Sequence, residues 1–369
     1  MMATTPPDTA TPAVMTEASA PPPISDAVKA QRQDFYGRLA KHDMAPLWES
    51  LHALVLKQPA SPAVPYLWRY QDEVRDLLIE AGHLITAREA ERRVLILENP
   101  GMKGSSAITR SLYAGLQLVM PGDVAPSHRH AQNALRFIVE GARAYTAVNG
   151  ERTLMNPGDL VLTPSWHWHD HGNDTDQPMV WLDGLDIPIV AFFDASFAEA
   201  GNAEMQTEVR PVGDSDLRFG NNLAPVDWMP ASQSSPIFNY PFARTRETLT
   251  AMAASDAPDD CHGHKLRYVN PATGGHVTPT MAAFMQLLPA GFATAPYRAT
   301  DGAVFSVVEG EGESIIGGQR FRWKPRDVFV VPSWTEVTHH AESEAVLFSF
   351  SDRSAQEKLG LWRERRPAA

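Results

Sequence analysis

His128 and His130 stand two residues apart in the stretch Ala125-Pro126-Ser127-His128-Arg129-His130. On an extended strand, residues i and i+2 face the same side, so both imidazoles can point into one barrel. A third histidine, His169, arriving on another strand, closes a facial set of three nitrogen donors and leaves the opposite half of a metal's coordination sphere open. Imidazole suits iron, zinc, copper and nickel alike, so these donors do not choose the metal. A lone histidine on a strand is ordinarily structural, but three at this spacing favour a metal site. His167 and His171 share the strand parity of His169 and are alternative ligands, although the spacing favours His169.

Strands must position such a set, and the sequence supplies them. After Arg93, short alternating or apolar runs such as Ala134 to Val139 and Leu160 to Thr163 are separated by the turn pairs Pro121-Gly122, Asn149-Gly150 and Pro157-Gly158. That rhythm is all-β, and its regular turns suit a barrel or a two-sheet jelly roll. It returns from Met281 to Ser351, where Glu309-Gly310 repeats Glu140-Gly141 and Val330-Val331-Pro332-Ser333-Trp334 echoes Leu162-Thr163-Pro164-Ser165-Trp166. The chain therefore reads as an internal duplication. In the second copy the two ligand positions of the first strand fall on Tyr297 and Ala299 and the third on Val337, so that half reads as a structural barrel.

Ahead of the barrels, Met1 to about Ile24 is rich in Ala, Thr and Pro and is expected to be a disordered tail. From Asp26 to about Lys57 the apolar spacing is helical, with Pro46 opening a second helix. A third amphipathic stretch, Gln71 to Ala81, carries Val74, Leu77 and Leu78 on one side and is expected to stop at Gly82. The formal net charge of −12 argues against nucleic acid or an anionic membrane as a partner, so a site for an anion must supply its own local cations. Cys261 is the only cysteine, which rules out an internal disulfide and a cysteine-rich zinc site. No apolar run reaches the ~18–20 residues of a membrane span, and no secretory signal is visible, so a cytoplasmic protein is expected.

Two motifs resemble the signatures of the cupin superfamily. Gly122, His128, His130 and Gly141 fall on the first, and Gly158, Pro164, His169 and Asn173 on the second, with Trp166 in place of an inner glycine. The glutamate that most cupins use as a fourth ligand would fall at Ala134 or Leu135, neither of which binds metal. A three-histidine site is neutral, so a divalent ion keeps its full charge for an anionic chelating substrate and still leaves room for dioxygen. The resemblance implies a mainly β bicupin, two jelly-roll barrels with N-terminal helices. Its parts are a tail (1–24), a helical segment (25–93), a catalytic barrel (94–193), a connecting region (194–280), a degenerate barrel (281–352) and a C-terminal segment (353–369).

The stretches Ser111-Leu112-Tyr113-Ala114-Gly115-Leu116-Gln117, His167-Trp168-His169-Asp170-His171-Gly172-Asn173 and Trp181-Leu182-Asp183-Gly184-Leu185-Asp186-Ile187-Pro188 closely resemble gentisate 1,2-dioxygenases. That family is similar over about Pro46 to Asp352, and membership implies a cytoplasmic homotetramer using non-haem Fe(II). It implies cleavage of 2,5-dihydroxybenzoate with O2 to maleylpyruvate in aromatic degradation. On this resemblance His128, His130 and His169 hold iron, and Arg88, Arg92 and Arg136 bind the substrate carboxylate. Guanidinium forks match a carboxylate bidentately, as a lysine would not. One of the adjacent Arg92 and Arg93 is expected to be an ordinary surface charge, whereas Arg136, set among apolar residues, is not. His171 and Asp183 match a catalytic pair beside the ring, and Gln117 and Tyr113 line the pocket. Salicylate and 1-hydroxy-2-naphthoate dioxygenases share the architecture and are the alternative activity. A non-catalytic ligand-binding bicupin is the alternative from another class, and a two-metal bicupin decarboxylase is disfavoured by Tyr297, Ala299 and Val337.

Overall fold

A computed structural model describes residues 24–367, so the tail expected over 1–24 lies, apart from Ile24, outside the described residues. The chain divides into two compact units after Gln58. In the first, the helix Asp26–Ala40 is capped by Ser25, whose hydroxyl accepts from the Val28 N–H, and the helix Leu47–Leu54 starts immediately behind Pro46. Neither helix buries a residue, and Leu47, Trp48, Leu51 and Leu54 are exposed.

The second unit holds both barrels. β1 (Tyr66–Trp68) and β2 (Val94–Ile96) flank the helices Arg75–Leu84 and Ala87–Ala90. The first barrel is built from β3 (Tyr113–Val119), β4 (Val124–His130), β5 (Ala134–Glu140), β6 (Tyr145–Val148), β7 (Glu151–Leu154), β8 (Leu160–Thr163), β9 (His169–Gly172) and β10 (Met179–Leu185). The connection contributes β11 (Ala198–Ala200), β12 (Asn239–Tyr240) and the helix Phe242–Ser255. Then come β13 (His264–Arg267), β14 (Ala282–Leu288), β15 (Arg298–Ala299), β16 (Ala303–Glu309), β17 (Gly312–Ile316) and β18 (Gln319–Trp323). The second barrel closes with β19 (Val328–Val331), β20 (Val337–Ala341) and β21 (Ala345–Ser351), and β22 (Glu364–Arg365) lies near the C-terminus.

Sheets ordered β12-β8-β5-β10-β3-β2 and β11-β4-β9-β6-β7 form the first barrel, and β1-β19-β16-β21-β14-β13 faces β18-β17-β20 in the second. Segments outside the two strand-rich stretches thus complete both barrels. β1 lies within the segment expected to be helical and pairs with β19, while β11, β12 and β13 lie within the region expected to be a connection.

The large sheets are buried on both faces. Leu116, Phe137 and Leu182 pack with Met285, Phe348 and Phe350 in one core shared by the barrels, where Phe137 and Phe348 stack with centroids 4.0 Å apart. The alternate residues Gln117, Arg136 and Asp183 share the other face of the same strands, which encloses the first barrel. Burial on both faces explains why β5 reads as an apolar run interrupted by a single arginine. The duplication extends to backbone conformation. Gly158 (φ +86°) and Trp166 (φ +63°) turn left-handed in the first copy, and Arg326 (φ +76°) and Trp334 (φ +58°) do so at the equivalent places of the second. Gly82 is not a helix stop. The helix runs on to Leu84, and a Cβ on Gly82 would lie 2.8 Å from the Leu118 side chain, so the glycine lets the helix pack closely on β3.

Glu140, at the end of β5, ties three elements together. Arg75 donates to it at 2.8 Å, the Tyr70 hydroxyl at 2.9 Å and Arg326 of the second barrel at 3.2 Å. Burial opposes ionisation of this carboxyl, but the Arg75 and Tyr70 hydrogen bonds outweigh it and hold the group below its ordinary value of 4.5. A depressed acid stabilises the fold above its unfolded pKa and loses that contribution as pH falls through the lower folded value. Glu140→Ala is therefore expected to cost about 1–3 kcal/mol at neutral pH, read as a lower unfolding midpoint in urea. The difference from wild type should narrow below pH 4.5. An equal difference at acid and neutral pH would contradict the assignment.

Candidate metal centre and anion pocket

The three histidines predicted from spacing converge. β4 and β9 are antiparallel neighbours with His128 directly opposite His169, and His130 lies two residues along on the same face. One ligand nitrogen from each of His128, His130 and His169 falls within 4.8 Å of the others. His130 Nδ1 donates to the Gln132 carbonyl at 2.9 Å and His169 Nδ1 to the His167 carbonyl at 2.8 Å. Those bonds fix the tautomer and leave each Nε2 with its lone pair free. His169 Nε2 is buried without a hydrogen-bond partner, an arrangement costly unless something electrophilic sits against it. Burial first, then the nearby guanidiniums, depresses the pKa of His128 to about 3 and of His130 to about 4, so both are neutral donors at physiological pH. These features fit a divalent cation held by three imidazoles. Ala134 and Leu135 are fully buried apolar residues, so no carboxylate joins from the usual cupin position.

His167 is not part of this set. Its Nδ1 bonds to the Ser165 carbonyl at 2.9 Å and its ring packs edge-on towards Phe238. His171 is fully buried beside the triad, 5.6 Å from His169 between ring centroids. Its Nδ1 lies 2.9 Å from the Thr146 hydroxyl, and that hydroxyl also donates to Met155 Sδ at 3.3 Å. With the hydroxyl proton directed at sulfur, the oxygen accepts from His171 Nδ1–H, and Nε2 is left as a buried acceptor without a partner.

Cations gather on one side of the histidines. Arg136 on β5 lies opposite Asp183 on β10, with Nε 3.3 Å from Oδ1, near enough for an ion pair but not aligned as a hydrogen bond. Arg136 also donates to Thr163, and the Trp181 indole donates to Asp183 at 3.1 Å. Burial pushes Asp183 up to about 6 against the opposing pull of Arg136, and burial also lowers Arg136. Arg92 reaches the Pro126 carbonyl at 2.8 Å and packs its guanidinium against both ring nitrogens of His128. Burial, then repulsion from Arg136, lowers Arg92 to about 10, so it keeps its charge at neutral pH. Two guanidiniums face one carboxylate here, a local positive excess in an acidic chain.

Gln117 lies opposite Trp181 on the interior face, and the Tyr113 phenol folds over Gly115, where a Cβ would sit 2.9 Å from its oxygen. Gly115 in turn is paired with Asp183, so the phenol lies one strand from the acid. Arg88 is not brought in. It is exposed on the short helix Ala87–Ala90 and hydrogen-bonds none of these residues, because the capping box of Thr86 and Glu89 sets that helix at the surface. The adjacent Arg93 is not a surface charge either: it is buried and ion-paired with Asp123. Thr146, Thr163 and Trp181 were not singled out from sequence. Their signal was strand parity alone, since each falls on the interior face opposite or beside a predicted site residue.

A cupin domain family model matches residues 115–185 and again 283–350. Gentisate 1,2 dioxygenase 1 of Aquipseudomonas alcaligenes is 57% identical over 340 residues, covering 92% of this chain and 98% of that one. A 5-aminosalicylate 1,2-dioxygenase of Comamonas sp is 38% identical over 351 residues, covering 93% of this chain and 92% of that one. The crystal structure of salicylate 1,2-dioxygenase from Pseudoaminobacter salicylatoxidans, as adducts with gentisate, superposes with a TM-score of 0.87 at 36% identity. That match covers 96% of this chain and 98% of the other.

Proposed function

This chain belongs to the gentisate 1,2-dioxygenase family of bicupin dioxygenases, and from that membership we propose that it opens the ring of gentisate with O2 to give maleylpyruvate. The observation that carries the reading is the pairing of a neutral, half-open three-histidine site with two guanidiniums beside it, Arg136 buried and Arg92 half-buried. Ferrous iron held by His128, His130 and His169 would supply the one-electron chemistry that lets triplet dioxygen react with a closed-shell ring.

The chain's own residues bind and orient. Arg136 and Arg92 take the substrate carboxylate, and a bound carboxylate relieves the repulsion between them. Asp183 holds the Arg136 fork in place and is itself held by the Trp181 indole. His171 accepts a ring-hydroxyl proton at Nε2, the nitrogen that Thr146 leaves free. Tyr113 offers a phenol to the second ring hydroxyl, and Gln117 fills the wall between Val94 and Trp181. Arg88 completes the anion site only if its exposed helix moves inward, a role that rests on the family resemblance alone.

Thr146 is a positioning residue in this scheme. Thr146→Val is expected to lower kcat about tenfold with metal content and KM little changed, and Thr146→Ser to restore it. A Thr146→Val enzyme that keeps wild-type kcat would remove His171's orientation from the mechanism. The activity itself is tested by oxygen uptake and ring-fission product from gentisate after anaerobic iron loading. Faster turnover of salicylate would shift the assignment to the sister activity, and no uptake with any ortho-hydroxybenzoate would favour a binding protein.

A homotetramer in the cytoplasm completes the proposal. Exposed apolar residues on the second unit, Phe192, Phe193 and Phe197, supply surface for subunit contacts. Light scattering of the full chain tests the assembly.

A further inference from the structure

The second barrel lacks the metal site but not a pocket. Tyr297 is bridged to Val337 as His128 is to His169, and Ala299 takes the remaining ligand position, so no cation-binding set survives. Around these residues a cavity of about 480 Å³ remains, within the ~300–1,000 Å³ usual for small-molecule sites. Its lining is chemically organised. Lys265 on β13 stands directly opposite Gln286 on β14, which puts their Cβ atoms ~5 Å apart on one face. Lys265 is half-buried and lines the cavity.

Most other charges lining this space are matched: Arg353 is paired with Glu357, Arg298 with Glu336, and Arg366 with Asp259 and Glu364. Asp301 accepts from the Trp362 indole and attracts Lys265 without bonding to it, while Arg267 and Asp256 have no ion pair among the described residues. Lys265 has no ion pair or hydrogen bond among the described residues; its ammonium lies 4.9 Å from the centroid of the Phe284 ring. Gln286 is 1% exposed, and its Nε2 has no hydrogen-bond partner. A half-buried ammonium without a hydrogen-bond partner beside a buried, unsatisfied amide donor marks the place of an absent acceptor. Next to them the small Ser349 separates Phe284 from Phe305, keeping the floor open between two aromatic rings. In the first barrel the equivalent of this serine and phenylalanine is the Asp183–Arg136 pair, so the second copy has exchanged an ionic floor for an apolar one.

We propose that the second barrel binds a small aromatic carboxylate, its carboxylate on Lys265 and Gln286 and its ring against Phe284 and Phe305. Burial first, with Arg353 and Arg366 adding to it against the pull of Asp301, brings Lys265 down to about 8, and an anion in contact would offset that penalty. None of these residues touches the His128 triad, so the site stands whether or not the catalytic reading does.

The test is equilibrium dialysis of the iron-loaded holoprotein, held anaerobic, against radiolabelled benzoate into the millimolar range. Wild type is expected to bind one equivalent per chain more than Lys265→Met, and Lys265→Met to retain wild-type kcat/KM for ring cleavage. Gln286→Leu keeps the lysine and is expected to weaken the same equivalent about tenfold, which covers the case of a poorly folding Lys265 variant. Equal stoichiometry and affinity in wild type and both variants would overturn the proposal.

Discussion

His130→Ala is expected to abolish metal retention and ring cleavage together while leaving the barrel folded. Among the described residues three imidazoles form the ligand set, and Ala134 and Leu135 offer no fourth donor. Four-ligand structural zinc sites bind with roughly 10–16 kcal/mol, or about 2.5–4 kcal/mol per ligand. Losing one of three should therefore weaken the metal roughly 100- to 1,000-fold. His130 is only half-buried and its backbone is held by pairing with Ala198 on β11, so the metal-free variant should melt within a few degrees of metal-free wild type. Metal analysis after dialysis, gentisate-dependent oxygen uptake and thermal unfolding are the three readouts. A variant that keeps stoichiometric metal would show that His167 or His171 can replace His130, which their positions off the triad argue against.

Much of this centre is legible in the sequence because strand parity is a strong constraint. Two histidines at i and i+2 must share a face, and signature glycines with left-handed φ, such as Gly122 at +80° and Gly141 at +83°, mark where strands reverse. The duplication was legible for the same reason, through repeated turn and strand motifs. What stayed hidden depended on register between distant strands. Nothing near Arg136 in the chain points to Asp183; only the alignment of β5 with β10 puts them together. Thr146 meets His171 through the pairing of β6 with β9, and a threonine in an apolar strand carries no local mark of that contact. The adjacent Arg92 and Arg93 separate in the bend before β2, so Arg92 reaches the Pro126 carbonyl beside His128 and Arg93 pairs with Asp123.

The second barrel shows the limit from the other side. Counting ligand positions there puts Tyr297, Ala299 and Val337 where the histidines would stand, and it also suggests a solid structural core. Lys265 lies in the region expected to be a connection, and its entry into the sheet as β13 is what turns a degenerate barrel into a lined cavity.

Arg136 is where binding and stability are hardest to separate. It is buried against Asp183 and Thr163, so Arg136→Ala removes the proposed substrate anchor and also strands a carboxylate inside the barrel. Breaking one partner of a buried pair costs about 3–5 kcal/mol, whereas replacing both with apolar groups of similar size is often neutral. A fall in activity after Arg136→Ala alone would therefore not distinguish a lost clamp from a loosened barrel. The double variant Arg136→Met with Asp183→Leu resolves this. It should recover most of the unfolding midpoint lost by Arg136→Ala, because no buried charge is left without its partner. It should retain metal, because His128, His130 and His169 are untouched. Substrate affinity should stay roughly 30- to 4,000-fold weaker than wild type, the range expected when one side of a desolvated charge pair is removed at about 2–5 kcal/mol. Anaerobic binding of gentisate to the iron-loaded protein reads this directly, without depending on turnover. Normal affinity in the double variant would leave the carboxylate to Arg92 alone and remove Arg136 from the anion site.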